Sequence, residues 1–197
     1  MLNISVMVSG SGSNLQAVID GVESGQIKEA KIVQVISSSP KAFALERARN
    51  HGIKTVTVSK ADFPEQAKRA GAILNALQQE ETDLVVLAGY MNILGPEIVE
   101  AYRGRIINIH PSLIPAFCGE GFYGMRVHEA VIQSGAEKSG ATVHFVDEGV
   151  DTGEIILQEE VAVRPGDSAE MLAMRVLNIE HKILPMAINK WREKGEK

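Results

Sequence analysis

Ile106-Ile107-Asn108-Ile109-His110-Pro111-Ser112-Leu113-Ile114-Pro115 reads as a buried strand that ends in chemistry. Ile106, Ile107 and Ile109 are β-branched, which suits a strand covered on both faces. Pro111 and Pro115 keep a helix from starting at once and stiffen the loop beyond the strand. Asn108 and His110 are two positions apart, so they share one face of the strand. In an open α/β sheet, ligands are held at the carboxyl ends of the strands. An amide and an imidazole pointing together there can polarise a carbonyl and handle a proton. By themselves two such residues are more often packing features than catalysts, so the rest of the chain decides.

Upstream, strands and helices alternate. Leu2–Ser9 reads as a strand, followed by Gly10-Ser11-Gly12-Ser13-Asn14-Leu15 and a helix with Leu15, Val18 and Ile19 at helical spacing. Lys31–Ile36 is a strand running into Ser37-Ser38-Ser39-Pro40. Phe43–Asn50 is a helix stopped at His51-Gly52, and Lys54–Val58 is a short strand. Pro64–Gln79 is a helix with Ala67, Ala70, Ile73, Leu74 and Leu77 on its apolar side. Asp83–Gly89 is the most hydrophobic strand and belongs in the centre, and Pro96 opens a short helix to Tyr102.

Downstream, Pro111–Met125 is too long for an ordinary connection, and loops of that length usually carry function. Arg126–Gln133 is a helix, and Ala141–Val146 with Glu154–Val163 form an antiparallel pair. Asp167 with Glu170 resembles a capping box for a last helix. That helix has Leu172, Val176, Ile179 and Ile183 as its buried stripe and Pro185 as an expected kink. The whole predicts an α/β fold: a doubly wound, mostly parallel Rossmann-like sheet with an antiparallel strand pair near the C-terminal end. One domain over residues 1–197 is expected.

Composition narrows the class. The chain has 197 residues, 45% hydrophobic and 23% charged, with a net charge of −5. That balance disfavours a dedicated binder of nucleic acid or of an anionic membrane. The single cysteine, Cys118, excludes an intrachain disulfide and a multi-cysteine zinc site. No signal peptide or membrane-length apolar run is present, so a cytoplasmic setting is expected. His110, His128, His144 and His181 show no paired metal-ligand spacing, so no metal is expected.

Two further constellations carry chemistry. Gly10–Asn14 looks like a dinucleotide fingerprint, but Leu15 stands at the third glycine and no acid follows the second strand. It also lacks the Gly-Lys-Ser/Thr of a P-loop. Amides at a helix start beside Ser11, Ser13 and Asn14 suit a single phosphate, against the plainer reading of a helix cap with close packing. The Asp147–Gly153 loop places acids at 147, 148 and 151, where a carboxylate can orient the His110 imidazole or relay its proton. Acids and glycines are also ordinary turn residues. A serine hydrolase fits poorly, because no serine sits in a Gly-x-Ser-x-Gly elbow.

Across essentially its full length the chain resembles the phosphoribosylglycinamide formyltransferase family, the folate-dependent enzymes of purine synthesis. The resemblance rests on Ser9–Leu15, Leu87-Ala88-Gly89-Tyr90-Met91, Asn108–Pro115, and Gly140–Val146 running on to Val150-Asp151-Thr152-Gly153. The His-Pro-Ser-Leu element is shared across formyltransferases, and the phosphate loop singles out this family. The resemblance implies Asn108, His110 and Asp151 as catalytic residues. It implies Gly12, Ser13, Asn14 and Glu180 as contacts to the glycinamide ribonucleotide substrate. It implies 10-formyltetrahydrofolate as the formyl donor, bound at Met91, Asn92, Ile93 and Leu94 and at Asp147, Glu148, Gly149 and Val150. Four features depart from the family pattern. Asn92 stands where Arg is frequent, Gln66 where some members have Arg near the folate tail, and Leu177 where a polar residue often meets the substrate. The Cys118–Gly124 loop is longer than in many members.

The residue types suit that reaction. An amine attacks a formyl carbon and the carbonyl oxygen gains charge, which the Asn108 amide and a protonated His110 are the donor types to hold. Asp151 would favour the protonated imidazole. Small-molecule partners are expected, and both a monomer and a homodimer stay open. Three rival formyl-transfer readings fit less well. Methionyl-tRNA formyltransferase carries a further C-terminal domain, formyltetrahydrofolate hydrolase an extra N-terminal one, and a sugar-nucleotide formyltransferase should lack the short phosphate loop. The rival from another class is a non-catalytic nucleotide-binding protein on the same fold.

Overall fold

The structure is a computed structural model and describes residues 1–195. In chain order the elements are β1 (Leu2–Val8), α1 (Ser13–Glu23), β2 (Ala30–Ser37), α2 (Phe43–Asn50), β3 (Thr55–Thr57), α3 (Gln66–Gln79) and β4 (Leu84–Leu87). They continue as α4 (Pro96–Ala101), β5 (Ile106–His110), α5 (Met125–Ser134), β6 (Lys138–Phe145), β7 (Ile155–Ala162) and α6 (Ala169–Gly195). The sheet order is β3-β2-β1-β4-β5-β6-β7. β1 runs parallel to β2 and β4, and β2 parallel to β3. β6 and β7 are antiparallel, so the mostly parallel sheet with an antiparallel pair near the C-terminal end is as the sequence predicts.

The chain divides into two compact units, Met1–Ile107 and a second that opens at Asn108. The first unit holds β1 through β4. β1 exposes almost nothing after Asn3, and all four residues of β4 are buried, which is why its sequence shows no polar alternation. Ile4, Met7, Leu15, Ile36, Leu77 and Leu84 are among its fully buried side chains. Each such side chain contributes about 1.5–3 kcal/mol by leaving water. In the second unit β7 alternates between exposed and less exposed positions, the mark of a strand with one wet face. α6 closes that unit with Leu172, Val176, Ile183 and Leu184 buried.

Several local expectations shift. α3 begins at Gln66 rather than Pro64, and its buried residues are Ala70, Ile73, Ala76 and Leu77; Ala67 faces water. The cap of α6 is Ser168, whose Oγ accepts the Met171 N–H at 3.3 Å. Asp167 turns instead to Arg175 and to the Arg164 N–H, and that pairing, the Arg175 hydrogen bond above all, holds its carboxyl at about 2. A guanidinium eight residues on outcompetes the local cap, since charge-assisted bonds are the stronger kind. α6 continues through Pro185 without ending. β6 starts at Lys138, three residues before the expected Ala141, because Lys138 to Gly140 pair with Ala162 to Glu160. Among the described residues no helix is long and apolar enough to cross a membrane.

Candidate active site

The Gly10–Asn14 loop lies wholly in the first unit. Gly12 has φ of 74°, and a Cβ there would sit 2.6 Å from the Ala44 Cβ, so neither the backbone conformation nor the space admits another residue. α2 grips the loop from one side. Ala44 N–H donates to the Gly10 carbonyl at 3.1 Å, and Arg47 Nε donates to the Ser11 carbonyl at 2.9 Å. In a trans peptide the N–H points opposite to the C=O, so the Ser11 and Gly12 amides face away from α2. Ser13, Asn14 and Leu15 open α1, whose first N–H groups have no intrahelical acceptor. Amides gathered at a helix start make an anion cradle.

The same unit holds the Met91–Leu94 segment. Sequence reading carries the strand to Gly89, but β4 stops at Leu87, and Gly89 at φ 75° turns the chain into a loop. Ser9 Oγ accepts the Met91 N–H at 2.8 Å and also pairs with Ser38 Oγ at 2.6 Å. The Met91 amide hydrogen is therefore already committed, and only its carbonyl stays available to a ligand. Ile93 is 74% exposed, an unusual position for an isoleucine, whereas Leu94 is buried. A groove beside them is lined by Gln66, Arg69, Ile73, Tyr90, Ile93 and Leu94. Burial pushes the Tyr90 hydroxyl above its ordinary value, against a hydrogen bond with Asn92 and the charge of Arg69. Two of the departures thus have places: Gln66 lines the groove and Asn92 is tied to Tyr90.

The second unit brings Asn108, His110 and Asp151 together. His110 ends β5, and its Nε2 donates to the Phe117 carbonyl at 2.9 Å. Its Nδ1 lies 3.5 Å from Asp151 Oδ2. Asp151 Oδ1 lies 3.6 Å from His144 Nε2, and that nitrogen is 3.1 Å from Asn108 Nδ2. The polar groups therefore run Asn108, His144, Asp151, His110. Burial lowers the His110 pKa below its ordinary 6.5, and a second imidazole, His144, adds to this; the Phe117 carbonyl and Asp151 pull the other way and lose. Burial outweighs the carboxylate, so the shift runs against the protonated His110 that the sequence reading expects. Burial also raises Asp151, but the neighbouring His144 and His110 side chains and the Gly119 N–H at 3.0 Å together hold it below the usual range.

Two backbone conformations support this cluster. Asp151 has φ of 58° and Phe117 φ of 52°, both left-handed without being glycine. Such residues cost about 1 to 3 kcal/mol each and persist where the surroundings over-determine them. Here each presents a group to His110. Gly153 allows the Asp151 loop its approach to β6, since a Cβ there would lie 1.8 Å from the Phe145 carbonyl oxygen.

The remaining acids behave differently. Asp147 Oδ1 accepts the Gly149 N–H at 3.0 Å and the Thr152 hydroxyl at 2.5 Å, so it shapes its own loop. Val150 is 38% exposed, one of the more open apolar residues. Glu180 is buried on α6 at 7% exposure, and Leu177 is half-buried on the same helix.

Sequence reasoning missed four participants. His144 and Thr142 lie in Gly140–Val146, one of the stretches that carry the family resemblance, but neither is given a role there. Phe117 and Gly119 act through the backbone, which no side-chain pattern reveals, although the unusual length of the Pro111–Met125 loop pointed at the segment. Thr142 is a buried hub: its hydroxyl donates to the Ser112 carbonyl at 2.6 Å and accepts from Ile114 N–H at 3.2 Å and Gln158 Nε2 at 2.9 Å. It fixes the start of the loop that carries Phe117.

Comparison with known proteins points to one family. The model of the Formyl transferase family matches residues 2–188. The chain is 40% identical to the phosphoribosylglycinamide formyltransferase of Escherichia coli (strain K12), over 95% of this chain and 86% of that protein. It is 41% identical to the chloroplastic phosphoribosylglycinamide formyltransferase of Vigna unguiculata over 91% of this chain, and it spans 57% of the length of that relative. Among solved structures, glycinamide ribonucleotide transformylase 1 from Symbiobacterium toebii superposes with a TM-score of 0.90 at 42% identity, covering 96% of this chain and 86% of that one.

Proposed function

The chain belongs to the phosphoribosylglycinamide formyltransferase family, and on that premise we propose that it transfers the formyl group of 10-formyltetrahydrofolate to the amine of 5-phosphoribosylglycinamide in purine (IMP) biosynthesis. The observation that carries the reading is the Asn108, His144, Asp151, His110 cluster. It offers a neutral amide donor, a proton acceptor and a fixed negative charge, the groups that acyl transfer to an amine needs.

Residues divide by unit. In the first, Gly12, Ser13 and Asn14 hold the substrate phosphate through backbone amides and hydroxyl or amide side chains. Met91, Asn92, Ile93 and Leu94 contribute to the folate site. The exposed Ile93 and the Arg69 guanidinium fit a donor that is part aromatic and part carboxylate. In the second, Asn108, His110 and Asp151 act on the reacting atoms, Glu180 meets the substrate, and Asp147, Glu148, Gly149 and Val150 form the rest of the folate contact. The donor supplies a formyl group on a nitrogen able to leave.

Neutral His110 takes a proton from the attacking amine. The imidazolium it becomes has both partners in place, the Phe117 carbonyl at Nε2 and Asp151 at Nδ1. His110 then returns the proton to the departing nitrogen. The Asn108 N–H stabilises the oxygen that gains charge. Work as one domain in the cytoplasm is part of the same proposal; the match of one family model over residues 2–188 supports the single domain.

The test is incubation of the protein with 10-formyltetrahydrofolate and glycinamide ribonucleotide, following tetrahydrofolate by absorbance and the formylated product by mass. Stoichiometric appearance of both is expected. Donor breakdown without formylated product would point to a hydrolase, and no reaction to a binding protein.

A further inference from the structure

We infer that His144 is a positioning residue that decides which end of the Asn108 amide faces the substrate. The inference rests on the proposed role of Asn108. His144 is 2% exposed, and its Nδ1 lies 2.8 Å from the carbonyl oxygen of Phe145. A carbonyl only accepts, so Nδ1 carries the hydrogen. A neutral imidazole with its hydrogen on Nδ1 has a lone pair on Nε2 and can only accept there. The group 3.1 Å from Nε2 is the Asn108 side-chain amide. It must therefore present its NH2, whichever way the amide would otherwise turn. Reversed, the amide oxygen would meet the imidazole lone pair, two acceptors face to face beside a ring that is 2% exposed.

The consequence is directional. One Asn108 N–H is anchored on His144, and the other, fixed in the same amide plane, is left for the oxygen that gains charge. An Asn without this anchor would offer its carbonyl oxygen in the flipped state and repel that charge. Asp151 Oδ1, 3.6 Å from the same Nε2, is the farther neighbour and cannot donate. The carboxylate would compete for Nε2 only if that nitrogen carried a proton. The hydrogen on Nδ1 of His144 thus sets the polarity of the whole series from the Phe145 carbonyl to Asn108. The side chain acts through Asn108, without contact to the reacting atoms.

The first test uses the wild-type protein without substrates. In ¹⁵N-histidine-labelled protein, the resonances lost in His144→Leu identify its ring, and at neutral pH they should show a neutral imidazole with the hydrogen on Nδ1. An Nε2–H tautomer or an imidazolium there would overturn the inference, whatever the enzyme's activity. The second test is kinetic. His144→Leu should lower kcat about 10-fold to 10²-fold, less than the ~10²–10³ typical of deleting a donor outright. Both KM values should stay within about twofold, since the lost orientation matters in the transition state. His144→Gln, whose side-chain oxygen can accept in place of Nε2, should recover most of the rate. Adding Asn108→Ala to His144→Leu should cost much less than Asn108→Ala alone. Equal rates in the Gln and Leu variants, or full multiplicative losses in the double variant, would refute it. Failure of the wild type to transfer formyl groups would refute the functional reading instead and leave the tautomer result standing. Should His144→Leu not fold, His144→Gln serves for resonance assignment and for the kinetic comparison with wild type, with full loss of rate there counting against the inference.

Discussion

The Gly10–Asn14 loop is built from five consecutive residues, whereas the cluster around His110 draws on β5, β6 and two separate loops. The first works through backbone. The proposed anion cradle depends on Gly12 adopting a left-handed conformation against Ala44 and on α1 beginning there. Little about it depends on charge states. The second works through side chains whose protonation is set by burial and by one another. His110 is pulled down by desolvation, and Asp151 is held low by the imidazoles and the Gly119 amide despite desolvation. A contiguous backbone site gives binding that is insensitive to pH. A dispersed side-chain site gives chemistry that depends on each member.

The contrast is broken most severely at the second site. His110→Ala should lower kcat by ~10²–10³ or more, with modest effects on either KM. Asp151→Asn keeps the shape but removes the charge that stabilises the imidazolium, and should fall in the same range. The double variant should be little worse than the worse single one, because the residues act on one proton. Steady-state kinetics of the three variants decides it; multiplicative losses would mean independent roles, and a near-wild-type Asp151→Asn would remove that acid from the mechanism.

At the first site the expected effect is on binding. Gly12→Ala must hold an alanine at φ near 74° with its Cβ 2.6 Å from that of Ala44. The left-handed conformation alone costs about 1–2 kcal/mol. Its melting temperature should fall, and the KM for glycinamide ribonucleotide should rise far more than that for the folate. Asn14→Ala should change the same KM with less effect on stability, by about 1.5–3 kcal/mol if a charge-assisted bond is lost. Equal changes for both substrates would mean that the loop does not bind the phosphate.

The smallest effect sharpens the contrast through pH. Because His110 sits below 6.5 and must be neutral to accept a proton, kcat/KM should fall only as pH drops through a value below 6.5. Asp151→Asn removes a raising influence and should move that limb further toward acid, while Asn14→Ala leaves it in place. Stability has the same sign. His110 and His128 both have lowered pKa values, burial being the main cause in each. The unfolded chain binds more protons than the folded one just below 6.5, so stability is lost as pH falls through that window. A limb that rises toward acid would overturn the assignment of His110 as the base.

Much of this was legible beforehand. Strand and helix alternation, the central place of the Asp83–Gly89 segment, and the glycine loop come from periodicity and from φ preferences that act over a few residues. So did the pairing of Asn108 with His110 on one strand face, since the period of two is fixed by the backbone. The sequence by itself determined the alternation of elements, the backbone cradle and the residue types available for chemistry. Only the tertiary structure decided which groups meet. Asn108 and His144 are 36 positions apart, and Gly119 and Asp151 are 32 apart. Those meetings depend on strand register and on loop paths, which no local preference specifies. The tertiary structure also decided that the His110 pKa is lowered rather than raised, because desolvation is a property of the packed surroundings and cannot be read from a residue and its neighbours in the chain.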